Sequence, residues 1–154
     1  DMYAKCGVLE KAKEVFDEIV VRDVVSYNAL MDGYVEHGQS DDILLCFRRM
    51  QEEGIPPDVV TFASILKSCS GTRYLRGYSQ EALVCFNKMK EEGISPNSVT
   101  YLSILRACGS IGCLEIGEGI DVEVRKRGLL EKDVLLGNTL IRMYGRCGAL
   151  EKAQ

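Results

Sequence analysis

The sequence predicts an all-α fold, a right-handed α-solenoid of stacked helix-turn-helix repeats. Three observations carry that prediction. The chain echoes itself at a period near 35 residues, each period holds two amphipathic patterns at helical spacing, and no alternating strand pattern competes. Met2-Tyr3, Cys6-Gly7 and Leu9-Glu10-Lys11-Ala12 recur 141 residues later as Met143-Tyr144, Cys147-Gly148 and Leu150-Glu151-Lys152-Ala153. Cys46 to Cys69 returns as Cys85 to Cys108 at an offset of 39, with fourteen of 24 positions identical. Boundaries at Asp23, Asp58, Asn97 and Asp133 give a partial repeat 1–23, a repeat 24–58, an irregular repeat 59–97, a repeat 98–133 and a partial repeat 134–154. Both ends fall within a repeat, as in a piece of a longer array. A lone helical hairpin cannot bury its apolar stripes, so the hairpins are expected to stack.

The elements follow in order. First helices are expected at 1–6, 24–37, 59–70, 98–111 and 134–147. Tyr27, Leu30, Met31 and Tyr34 fall at i, i+3, i+4 and i+7; Phe62, Ile65, Leu66 and Cys69 repeat that spacing, as do Tyr101, Ile104, Leu105 and Cys108. Asp23, Asp58, Asn97 and Asp133 stand where a side-chain oxygen caps the free N–H groups of the following helix. Gly7, Gly38, Gly112 and Gly148 are placed to end these helices. Second helices are expected at 9–20, 40–53, 79–92, 114–127 and 150–154, with Ser40 and Ser79 as N-caps and acids just after them. Ile43, Leu44, Phe47 and Met50 form one buried stripe, and Ala82, Leu83, Phe86 and Met89 its copy. Gly54, Gly93 and Gly128 stop the second helices, and Pro57 and Pro96 prevent continuation. The irregular repeat carries four residues more than a 35-residue unit, expected as a longer inter-helix loop over Ser70 to Gly77.

Composition narrows the function. With 46% hydrophobic and 27% charged residues the chain is globular in type, and no apolar run approaches the ~20 residues a bilayer crossing needs, so no membrane partner is expected. Seven cysteines without a Cys-x-x-Cys pair, beside the single histidine His37, argue against a zinc site. They read as free thiols used as small apolar side chains. The net charge of −4 argues at first sight against nucleic acid. Divided by element, however, the expected first helices carry five bases and three acids, and the second helices ten bases and sixteen acids. The acid belongs to the second helices, and the other layer is mildly basic.

Val24-Val25-Ser26-Tyr27-Asn28-Ala29-Leu30-Met31-Asp32-Gly33-Tyr34, followed by Gly38, Phe47, Met50, Gly54 and Pro57-Asp58, closely resembles the pentatricopeptide repeat. The resemblance covers the whole chain. Unit lengths of 31, 35 and 36 residues resemble the plant-type subclass that mixes short, standard and long motifs. Val59–Asn97 resembles a long motif in its first helix and a standard motif in its second. Asp121 and Glu123 depart from the long-motif pattern, where histidines are common.

The resemblance implies sequence-specific binding of single-stranded organellar RNA, one nucleotide per repeat, along the first helices. The fifth residue of a repeat and its last would read the base. Here these are Asn28 with Asp58, a combination that in the family favours uridine. An amide offers both donor and acceptor to a base edge, and a carboxylate can orient it. Capping alone would also explain Asp58, and the two roles are compatible. Asn97 and Asp133 hold last positions but face Ala63 and Leu102; Asn138 is a fifth residue whose partner lies past Gln154. Second-position residues Val25, Val60, Val99 and Leu135 would clamp bases, with inter-helix packing the alternative for each. Lys5 and Arg146 occupy a position associated with phosphate contact, where Glu36, Gly71 and Ser110 stand in the middle repeats.

No Gly-rich phosphate loop, nucleophile elbow or paired-carboxylate motif occurs, so no catalytic role and no cofactor is expected. Some relatives end in a zinc deaminase domain, whose His-x-Glu and Cys-x-x-Cys ligands are absent here. The resemblance therefore implies the address module of an organellar RNA-processing or RNA-editing factor, in a mitochondrion or chloroplast, possible partners being other editing or processing factors. The rival is a protein-protein interaction scaffold like the tetratricopeptide repeats. Their Trp-containing pattern is missing, since the chain has no Trp.

Overall fold

The computed structural model describes residues 2–70, 75–149 and 151, with side chains described outside 1–7, 70–78, 150 and 152–154. Among the described residues eight α-helices follow one another: α1 (Met2–Glu18), α2 (Val24–His37), α3 (Ser40–Glu52), α4 (Val59–Ser70), α5 (Leu75–Glu91), α6 (Ser98–Ile111), α7 (Leu114–Lys126) and α8 (Val134–Arg146). No strand occurs among the described residues.

The helices form two layers of one solenoid. The backbones of α2, α4, α6 and α8 pack directly on one another in chain order, while α3 bridges α2 and α4, α5 bridges α4 and α6, and α7 bridges α6 and α8. Second-layer helices reach each other through long side chains. Arg49 Nη1 lies 3.3 Å from Asp17 Oδ1, the Lys88 ammonium 5.3 Å above the Phe47 ring, and Lys90 Nζ 3.8 Å from Glu123 Oε2. Close packing in one layer and side-chain bridging in the other make the array concave on the first-helix side.

Between the layers runs a continuous core. Tyr27, Phe62 and Tyr101, the fourth residue of successive first helices, are each fully buried, and in α8, where the fourth residue is Gly137, the third, Leu136, is fully buried instead. Edge-to-face contacts join repeats, Phe16 with Tyr27 at 4.9 Å and Phe47 with Phe62 at 5.7 Å between ring centroids. Met31, Met50, Met89, Ile65 and Ile104 fill the spaces between. Cys46, Cys69, Cys85 and Cys108 are buried free thiols in the same core, and burial pushes them up to about 11, 11, 12 and 12 respectively. They act as packing groups that stay protonated at neutral pH.

The helix ends follow the capping residues read from the sequence, with three corrections. At Gly38, φ is 68°, and its N–H and that of Gln39 close onto the Val35 and Tyr34 carbonyls, a left-handed end that a side chain would strain. Gly112 and Gly148 adopt the same conformation, but α1 runs through Gly7 without a break. Glycine permits either backbone state, and here the helical ladder continues at a cost of about 1 kcal/mol relative to alanine. Ser40 is not an N-cap: Gln39 occupies that place, and the Ser40 hydroxyl is turned to donate to the Ser68 carbonyl across the repeat junction at 3.3 Å. Ser79 lies inside α5 and is buried. That helix begins four residues earlier because it has 17 residues where α3 and α7 have 13. The four extra residues of the irregular repeat are thus matched by an added helical turn, whose local hydrogen bonds a loop would forgo. The segment expected at 150–154 lies outside the described residues apart from 151.

Candidate nucleic-acid interface

Each first helix opens on a capped turn, and that turn presents the candidate residues. At α2, Asp23 Oδ1 accepts the Ser26 N–H at 2.9 Å while the Ser26 hydroxyl accepts the Asp23 N–H at 2.9 Å. Asp58 with Thr61 and Asn97 with Thr100 repeat this reciprocal arrangement, the N3 amide donating at 3.0 and 2.9 Å. At α8 the hydroxyl is lost: Asp133 Oδ1 accepts the Leu136 N–H at 3.1 Å and Leu136 is buried. The cap at Asp58 holds its carboxylate where it also meets α2, the first helix of the preceding repeat.

Asn28 and Asp58 are brought together. Asn28 Nδ2 donates to Asp58 Oδ1 at 3.0 Å, across 30 residues of sequence. The Thr61 hydroxyl lies 2.7 Å from Asn28 Oδ1, where it donates. Partial burial pushes the Asp58 carboxyl up, but the Thr61 N–H and the Asn28 amide outweigh it and hold the group below the ordinary carboxylate range. The result is an amide 8% exposed, locked to a carboxylate at the lip of the first-helix layer. One turn along, the Ser64 hydroxyl donates to Asp32 Oδ1 at 2.8 Å, tying α4 to α2 a second time on the same side.

The neighbouring junctions differ. Asn97 Oδ1 is engaged by the Thr100 N–H and hydroxyl, both at 2.9 Å, and Ala63 brings no polar group to it. Asp133 accepts the Leu136 N–H, and Leu102, the fifth residue of α6, is packed against the core. Asn138 is exposed on α8. The pair expected from Asn28 and Asp58 is therefore in contact, whereas Asn97, Asp133 and Asn138 have no such pairing among the described residues.

Val25, Val60, Val99 and Leu135 are 67%, 45%, 44% and 51% exposed, each the second residue of its helix. Packing between stacked helices does not consume them. They form a row of apolar side chains beside the capped turns, one per repeat. Arg146 is exposed in the last turn of α8, its stem against Gly109 of α6. Glu36 is exposed at the equivalent place on α2, and the Ser110 hydroxyl donates back to the Arg106 carbonyl at 3.0 Å. The Lys5 and Gly71 positions fall outside the described side chains.

Thr61 and Ser64 were not singled out by sequence pattern. Thr61 was legible in principle, because Asp58-x-x-Thr61 follows the spacing of a reciprocal cap, but that spacing does not show that its hydroxyl also meets Asn28. No group of three or more His, Cys, Asp or Glu side chains suited to a metal occurs among the described residues. No described helix is long and apolar enough to cross a membrane.

Comparison with known proteins places this geometry. The sequence model described as PPR repeat family matches residues 22–71 and 75–110, and that described as PPR repeat matches 1–24 and 138–154. A chloroplastic pentatricopeptide repeat-containing protein of Arabidopsis thaliana is 32% identical over 155 residues, spanning 99% of this chain and 22% of that protein. A mitochondrial one from the same plant is 46% identical over 70 residues, spanning 46% of this chain and 9% of that protein. The chain thus covers about a fifth or less of these relatives' lengths. The crystal structure of the maize pentatricopeptide repeat protein PPR10 superposes with a TM-score of 0.68 at 25% identity, covering 98% of this chain and 22% of that one. The structure of PPR10 in complex with an 18-nt psaJ RNA element gives 0.69 at 19% identity, over 96% of this chain and 22% of that one, a likeness of fold. With family models matching more than half of its residues and an all-helical solenoid as its fold, the chain belongs to the pentatricopeptide repeat family.

Proposed function

We propose that this chain binds single-stranded RNA along the face formed by α2, α4, α6 and α8, one nucleotide per repeat, as the address module of an organellar RNA-processing or RNA-editing factor. The observation that carries the reading is the Asn28–Asp58 contact at 3.0 Å, set between exposed Val25 and Val60. A base entering between the two valines would lay its faces on apolar surface and its edge against the amide. Asn28 has four hydrogen-bonding valences, of which Asp58 and Thr61 occupy two. One N–H and one lone pair remain for a base edge.

The other proposed sites follow the same logic with fewer contacts. Asn97 and Asp133 are last residues without a polar partner in front, so the two repeats they end would space the chain more than read it. Asn138 is a reading residue, and Val99 and Leu135 clamp bases. Lys5 and Arg146, at the same place in their repeats, contact phosphate. Sparse bases on the first helices imply a modest electrostatic share of affinity. Organellar location is supported by relatives named chloroplastic and mitochondrial.

Filter binding of the 154-residue chain to single-stranded oligoribonucleotides at low salt tests the reading. Binding that weakens with salt, prefers a uridine-containing strand and drops with Asn28→Ala is the expected result. Absence of binding to any strand at low salt would remove it and favour a scaffold that contacts protein.

A further inference from the structure

We propose that Thr61 is a positioning residue for base recognition, its hydroxyl holding the Asn28 amide in one orientation. The inference rests on the reading above, in which Asn28 and Asp58 meet a base. The proton balance at the junction supports it. Thr61 Oγ1 lies 2.7 Å from Asn28 Oδ1, 3.0 Å from Asp58 Oδ1 and 3.2 Å from the Asp58 N–H it accepts. Asp58 Oδ1 already receives the Thr61 N–H and Asn28 Nδ2, each at 3.0 Å. A hydroxyl has one proton to give, and the closer Asn28 carbonyl takes it.

This assignment makes the amide directional. Turned end for end, Asn28 would set its carbonyl oxygen against the Asp58 carboxylate, and the Thr61 hydroxyl would have to turn its proton to Asp58 and accept from the NH₂ as a second donor beside the Asp58 N–H. The bond from Asn28 to the carboxylate would be lost outright and the Thr61 contact reversed. With them in place, the remaining N–H and lone pair keep a fixed left-to-right order, and a base must match that order. Asp58 alone engages the nitrogen; Thr61 completes the hold from the oxygen side. Thr61 is fully buried, so no water at the groove surface can take over its bond.

The array contains its own control. Thr100 occupies the same cap position on α6, is equally buried, and makes the same reciprocal bonds with Asn97. Ala63 stands where an amide would be, so the Thr100 hydroxyl serves only the cap. At α8 both polar groups are gone, with Leu102 and Leu136 in their places. Capping is therefore common to Thr61 and Thr100, while the contact to an amide one repeat back belongs to Thr61.

The test compares Thr61→Val, Thr61→Ser and Thr100→Val. Nuclear relaxation of the Asn28 side-chain NH₂ in the free protein reads the hold itself. Thr61→Val is expected to raise amide mobility, Thr61→Ser to restore it, and Thr100→Val to leave it as in the wild type although it loses the same cap. With uridine- and cytidine-containing strands, Thr61→Val is expected to lower discrimination about fivefold, the worth of one ordinary hydrogen bond, with Thr100→Val unchanged. An Asn28 amide equally ordered in Thr61→Val and wild type overturns the proposal, whether or not RNA binds. If the amide loosens but Asn28→Ala binds both strands as the wild type does, the base-reading role falls and the Thr61 contact is structural only.

Discussion

The α2–α4 junction and the α6–α8 junction use the same architecture to different ends. Both stack first helix on first helix, both bury a large apolar residue in the first turn of the incoming helix, Phe62 at its fourth place or Leu136 at its third, and both cap that helix with an aspartate. At the first, Asn28, Asp58 and Thr61 close a polar ring at the groove. At the second, Leu102, Asp133 and Leu136 leave the aspartate with capping alone. Stacking is thus carried by the core, and the polar ring by a few lip residues. An array can lose the second at a given repeat without losing the first.

Several measurements would break or sharpen that contrast. Removing the shared core should hurt most: Phe62→Ala is expected to destabilise by about 3–5 kcal/mol and Leu136→Ala by about 2–5 kcal/mol, read by denaturant unfolding. A junction indifferent to either would mean that the stacking core lies elsewhere. Two helical glycines test how tightly each region is packed. A Cβ at Gly117 of α7 would come within 2.6 Å of the Met143 Sδ and Cε atoms on α8, whereas at Gly33 of α2 its nearest neighbour is Leu9 Cδ1 at 3.5 Å. Gly117→Ala obliges the flexible end of Met143 to move, so the helix gain of about 1 kcal/mol from replacing glycine should be offset and the variant should melt below Gly33→Ala. Gly33→Ala should instead stabilise by about 0.5–1 kcal/mol in thermal melts, since it removes helix-interior glycine without a clash.

Acid should separate the junctions more gently. Asp58 is held below its ordinary value, so its folded-state contribution is complete above the unfolded carboxylate value and is lost as pH falls through the depressed one. The stability difference between wild type and Asp58→Asn should therefore shrink as the pH is lowered through that window. A difference independent of pH would show that the carboxylate charge is not what the junction uses. Thiol chemistry gives the smallest perturbation. Cys46 and Cys69 near the first junction are buried, while Cys113 and Cys147 near the second are half-exposed. Among the described thiols, Cys113 and Cys147 should be alkylated first in the native chain, with mass spectrometry assigning the sites.

Much of this was legible in the sequence. The first helices α2, α4 and α6 span the ranges that the i, i+3, i+4, i+7 pattern predicts, because the same side chains that make the pattern fill the core. The contact of Asn28 with Asp58 followed from the repeat resemblance. What sequence could not supply was the partner of each polar atom. Ser40 looks like a cap because serine before two acids suits a helix start, yet its hydroxyl answers a carbonyl 28 residues away. The extra residues of the irregular repeat look like loop because loops absorb insertions at little cost, yet a helix gains hydrogen bonds by taking them. Gly7 and Gly148 sit in nearly the same peptide and adopt different backbone states, so the turn is decided by what surrounds it.

The central claim is that the Asn28–Asp58 junction reads a base. Its most direct test is the affinity of wild type and Asn28→Ala for strands differing by one uridine-to-cytidine change. The account predicts a wild-type preference for uridine that falls by about tenfold in Asn28→Ala, the scale of one lost two-point base contact, with melting unchanged apart from a small shift. Equal preference in the two proteins would contradict it.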